Sequence, residues 1–237
     1  MRLKLRSRAR PGDAGGTAYA TTADRLSATF GVILALAWPL LFIRTSHDLT
    51  DARVLVRSIS VDWGVALILA LIGFRMLRRR PSWFGMGMFG WREVLAMVAA
   101  MAALYLFAGA VSWYFSNPFS REQLRKLDAL PLLLRAGLVL TAGITEEFMY
   151  RGFALEELAS LIGKRRLAAL VSAVCFTAVH AIRVGLSPEL LMVGGAGATL
   201  TILYLWRRNL PVCMLMHAIV DGIGIIVVPA VYRAHGG

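Results

Sequence analysis

Cysteine is almost absent from the chain. There are two in 237 residues, Cys175 and Cys213, each inside an apolar stretch. That excludes a disulfide framework and a cysteine-based metal site. Charge is scarce as well, at 17% of residues against about 25% in average soluble proteins. Acidic residues are scarcer than basic ones, 14 against 26, for a net charge of +12. Neither GxxxxGK nor GxGxxG occurs, so no phosphate-cradling loop of those kinds is present. No internal repeat is visible. Hydrophobic residues, by contrast, make up 58%, and the mean hydropathy is +0.65. An ordinary soluble domain and a disordered chain are both excluded by that balance.

The apolar residues fall in runs long enough to cross a bilayer. The expected fold is all-α: a polytopic transmembrane helical bundle of about seven, six to eight, spans. Runs occur near Leu26–Ile43, Val61–Leu77, Glu93–Phe115, from Leu130 onward, Leu167–Arg183, Glu189–Trp206 and from Leu210 towards Val228. The fourth continues as an amphipathic helix towards Leu161, and Gly222, Gly224 and Pro229 are places where the last could break. Residues 1–26 read as a basic, disordered cytoplasmic tail, and 27–237 as a single integral-membrane domain with its motif-bearing core at 130–228. Gly194, Gly195, Gly197 and Ala198 are small residues that permit close helix approach. Trp83 and Trp91 flank a Gly-rich loop and suit the headgroup level.

The positive charge does not point to nucleic acid. Basic residues sit in short runs beside apolar segments, at Arg2–Arg10, Arg78–Arg80, Lys164–Arg166 and Arg207–Arg208. That is how cytoplasmic loops of membrane proteins look. The bias places the N-terminus in the cytoplasm, and compactness and arginine usage suggest a prokaryotic inner membrane.

Ionisable groups within spans are expensive and mark function. Here they are Glu146, Glu147 and Arg151 in the fourth span, His180 in the fifth, and His217 and Asp221 in the seventh; Arg135 stands near the start of the fourth. Residues four apart share a helix face. Glu147 can therefore pair with Arg151, and Asp221 can orient His217. Glu146 is rotated about 100° from Glu147, so one carboxylate can be structural while the other faces a cavity. Singly, Glu147–Arg151 reads as a structural ion pair and His180 as a satisfied helix-end histidine, while His217–Asp221 reads equally as a packing pair or a site. Three spans each supplying carboxylate or imidazole amount to an acid–base inventory.

Thr145-Glu146-Glu147-Phe-Met-Tyr-Arg151 resembles the EExxxR motif of the CPBP intramembrane proteases, which include CAAX prenyl proteases of the Rce1 type and bacterial Abi proteins. Phe176-Thr-Ala-Val-His180 is similar to that family's FxxxH motif, and His217-Ala-Ile-Val-Asp221 to its third motif. The last position is Asp221, where the prenyl proteases usually have Asn. The resemblance implies hydrolysis of a peptide bond in a membrane-embedded or lipidated peptide or protein substrate, with the lipid bilayer as surroundings. Glu146 would activate water, His180 and His217 would hold the water or polarise the carbonyl, and Asp221 would orient His217 or, if protonated, donate to the oxyanion. Glu147 and Arg151 would fix the helix. Glu146, His180 and His217 are also a zinc ligand set, and a metal-free glutamate mechanism uses the same residues. Two other classes remain: a non-catalytic scaffold, immunity or maturation factor, and an ion-coupled carrier.

Overall fold

A computed structural model describes residues 19–42, 51–115 and 121–235. The basic tail up to residue 18 and the Asn117–Pro118 turn lie outside the described residues. Among these residues there is no strand, and the elements are helices, as the hydropathy pattern requires.

Helix α1 runs Thr22–Ala37. It starts four residues before the apolar run because Thr21 and Asp24 form a reciprocal capping box, which satisfies two orphan amides. Helix α2, Ala52–Leu71, is capped by Asp51 and ends in a π turn, Ile72–Met76. Helix α3 is Trp91–Phe115 and α4 is Arg121–Ala129. The polar stretch before the fourth run is thus helical over Arg121–Ala129. Helix α5, Leu132–Thr141, passes through two π turns, Ala142–Glu146 and Phe148–Ala154, into α6, Leu155–Ile162. Helix α7 spans Arg165–Val184, α8 spans Pro188–Arg207, and α9 spans Leu210–Gly222. A π turn, Ile223–Val227, joins α9 to α10, Val228–Ala234. Gly222 and Pro229 therefore loosen this helix but do not end it. Its start is fixed by Asn209, whose side chain accepts from the Val212 amide at 3.2 Å.

Among the described residues five helices are long and apolar enough to cross a membrane, and a sixth span results if α4 and the α5–α6 helix, bent by 106°, count as one. The count falls short of the expected seven. At 16 residues α1 is too short on its own for a hydrocarbon core that needs about 20, and the α5–α6 helix carries too many charges. Outward faces are apolar: Leu106, Leu133 and Leu170 are exposed. Trp91 at one end of α3 and Trp113 and Tyr114 at the other are exposed as well, the arrangement of aromatic belts at two interfaces. Trp83 is half-buried instead, with the Arg79 guanidinium 3.9 Å over its ring.

Small residues let the helices close up. Gly195 faces the Phe107 ring and Gly194 faces Thr177, so α8 packs tightly on both α3 and α7. Gly31 on α1 lies against the Phe153 ring, which seats α1 on the π-helical segment.

Candidate active site

The first motif lies on the π turns between α5 and α6. Gly143 sits at the crossing with α9, where an added Cβ would be 3.0 Å from Ala218 Cβ and 3.1 Å from the Met214 carbonyl oxygen. Only glycine permits that approach, and the approach brings Glu147 to His217.

Glu147 is fully buried. Its Oε1 accepts from Arg151 Nη1 at 2.6 Å and from His217 Nδ1 at 2.8 Å. Arg151 is fully buried too. Its other two nitrogens donate to the Gly197 carbonyl at 2.8 Å and to Thr201 Oγ1 at 3.3 Å, and its guanidinium carbon stands 4.6 Å over the Phe176 ring. Burying such a pair is tolerable only when further hydrogen bonds of good geometry accompany it. The result is a clamp that joins the motif helix to α7, α8 and α9.

The clamp fixes the imidazole of His217. Because Nδ1–H donates to Glu147, the proton position is set and Nε2 is left for chemistry. Nε2 is 3.5 Å from Asp221 Oδ2 and 4.0 Å from Glu146 Oε2. Glu146 differs from its neighbour: its side chain is 20% exposed against 0% for Glu147. Its Oε2 has no hydrogen-bond partner among the described residues. The two adjacent carboxylates thus stand in different surroundings, one fully buried and one partly exposed.

His180 is half-buried on α7, and its Nδ1 donates to the Phe176 carbonyl at 2.8 Å. The Phe176 ring lies 4.6 Å from the His180 ring and 6.3 Å from the His217 ring. The two imidazoles therefore lie within about two helical turns, ~11 Å, of each other. The structure gathers Glu146, Glu147, Arg151, His217 and Asp221 by direct contacts and brings His180 in through Phe176. Arg135 lies apart, paired with Asp128 at 3.4 Å.

A catalytic zinc needs about three protein ligands converging on one point. Among the described residues no group of three His, Cys, Asp or Glu side chains is placed to hold a metal ion. The arrangement does not fit the Glu146, His180 and His217 zinc set, and no step below is routed through a metal.

Several contributors were not legible in the sequence. Thr201 and the Gly197 carbonyl anchor Arg151, yet neither is charged. Asp62 reads as the edge of an apolar run but is buried within α2, and the adjacent Trp63 indole donates to Thr141 on α5 at 3.1 Å. The signal that could have found Asp62 is Asp51, whose capping position starts the helix ten residues earlier.

A second buried network closes one end of the bundle. Glu157 accepts from Arg79 at 2.9 and 3.0 Å and from the Tyr19 hydroxyl at 2.7 Å. Glu156 accepts from Arg165, Arg208 and the Tyr204 hydroxyl. Burial and then the Glu157 carboxylate push the Tyr19 phenol well above its ordinary range. Arg79, Arg165 and Arg208 come from three separate basic runs, so those runs lie at the same end of the bundle.

Residues 128–223 match the family model described as type II CAAX prenyl endopeptidase Rce1-like. No curated protein and no solved structure matches the chain. The matched stretch contains every one of Glu146, Glu147, Arg151, His180, His217 and Asp221. Its helices are those that build the Glu147–Arg151–His217 clamp, so the part of the chain that is similar to the Rce1-like model is the part that carries the site.

Proposed function

We propose that the protein is an intramembrane endopeptidase of the CAAX prenyl type, with its N-terminus and the Glu156–Glu157 end on the cytoplasmic side. The carrying observation is the contrast between the two carboxylates. Glu147 is fully buried and its Oε1 holds both His217 and Arg151, while Glu146 is 20% exposed and places Oε2 4.0 Å from His217 Nε2.

Water fits between such a carboxylate and an imidazole. Glu146 takes a proton from it as the water oxygen bonds to the scissile carbonyl carbon, and the carbonyl π pair moves onto oxygen. The tetrahedral species then collapses, the C–N bond breaks, and the proton held by Glu146 passes to the leaving amine. His217 and His180 orient the water and the carbonyl. Their Nδ1 atoms are both engaged by fixed acceptors, which sets the orientation of both rings. General-base help of this kind contributes about 10²–10⁴-fold.

The test uses the full chain in lipid nanodiscs with a peptide ending in a farnesylated Cys-aliphatic-aliphatic-X tail. The expected result is release of the C-terminal tripeptide, detected by mass spectrometry, and its loss in Glu146→Ala. Equal release by wild type and Glu146→Ala, or a folded wild type that leaves the peptide intact, would overturn the proposal and favour a non-catalytic membrane scaffold.

A further inference from the structure

Hydrolysis creates an oxyanion, and the sequence leaves its donor in question. An ionised carboxylate accepts hydrogen bonds and donates none. Asp221 therefore donates to an oxyanion only when protonated, whereas an amide at that position always carries a donor. His217 Nδ1–H is already committed to Glu147, and every donor-bearing nitrogen of Arg151 has a partner.

One further donor lies against the site. Tyr150 is 2% exposed, and its hydroxyl has no hydrogen-bond partner among the described residues. A buried hydroxyl left unsatisfied is destabilising, and such groups call for an explanation. Tyr150 follows Glu146 by four residues, so the two side chains leave the helix on the same side. Its ring stands edge-on to Phe176, centroids 5.2 Å apart. That is the ring which also contacts His180, His217 and Arg151. The Glu146 and Asp62 carboxylates are within electrostatic reach of the hydroxyl. The Tyr150 carbonyl accepts from Ser172 at 2.7 Å, which pins the residue to α7.

We propose that Tyr150 is a catalytic residue whose hydroxyl donates to the oxyanion of the tetrahedral species. The proposal rests on the endopeptidase reading. Before substrate enters, the hydroxyl waits without a partner; as the carbonyl oxygen gains charge, the hydrogen bond forms. An interaction made mainly in the transition state raises kcat and leaves KM little changed.

Tyr150→Phe removes this oxygen and keeps the ring on Phe176. The full chain in nanodiscs is assayed on the farnesylated peptide, with its melting temperature measured alongside. We expect kcat to fall about 100- to 1000-fold, KM to stay within about threefold, and the melting temperature to hold or rise. Adding Asp221→Asn to Tyr150→Phe returns a donor amide and recovers part of the loss. A Tyr150→Phe enzyme within about threefold of wild type in kcat overturns the assignment while the endopeptidase reading stands. A variant that loses activity and melting temperature together gives the hydroxyl a structural role and also overturns it. A wild type no more active than Glu146→Ala ends both.

Discussion

Replacing Gly143 with alanine probes the helix crossing on which the site depends. A methyl there would meet Ala218 Cβ at 3.0 Å and the Ala218 amide and Met214 carbonyl at 3.1 Å. Two of the three are backbone atoms, so no side-chain rotation relieves the contact. Comfortable separations are about 3.5–4.0 Å, and α9 must retreat by roughly 0.5 Å. The Glu147–His217 bond, 2.8 Å at present, would stretch to about 3.3 Å, just past the usual limit of ~3.2 Å. Overpacking of this kind costs about 1–3 kcal/mol, and hydrogen bonds to charged groups contribute about 1.5–3 kcal/mol. Gly143→Ala should lower kcat by about 10- to 100-fold, equivalent to ~1.4–2.7 kcal/mol in the barrier, with a modest fall in melting temperature. The assay is tripeptide release from the farnesylated peptide at matched protein folding, judged by circular dichroism. Wild-type kcat in a folded Gly143→Ala protein would refute the reasoning that this crossing sets the Glu147–His217 contact.

Gly197→Ala would place a methyl 2.7 Å from Phe176 Cδ1, on a ring hemmed in by Tyr150, His180 and Arg151. It should reduce kcat at least as much as Gly143→Ala, whereas Gly194→Ala, whose methyl would come no nearer than 3.3 Å to the Thr177 side chain, should be mild in the same kinetic assay. Arg79→Ala strips Glu157 of two of its hydrogen bonds while the carboxylate stays buried. Breaking a buried pair costs about 3–5 kcal/mol, so thermal melting should shift down strongly while kcat per folded molecule, measured on the same preparation, stays close to wild type.

Much of the site was legible because helix geometry is rigid. The four-residue spacings of Glu147 and Arg151 and of His217 and Asp221 both correspond to contacts. Span positions were legible for the same reason: long apolar runs leave few alternatives in a bilayer. The short first helix was not, because Thr21, a polar residue outside the run, sets its start. The π turns were also hidden, since a widened turn changes the angular step without changing composition. Long-range partnerships escaped altogether. Nothing local announces that Arg79, Arg165 and Arg208 converge on Glu156 and Glu157, or that Thr201 completes the shell of Arg151. Tyr150 reads as an aromatic in a motif until its hydroxyl is found buried and unpaired.

The central claim is that Glu146 activates water while Glu147 holds the machinery. Its most direct measurement is tripeptide release by Glu146→Gln in nanodiscs, beside wild type, at equal melting temperature. Gln keeps the volume and removes the base. The account predicts a loss of about 10²–10⁴-fold in kcat with substrate binding retained. Turnover by Glu146→Gln at the wild-type rate would contradict it.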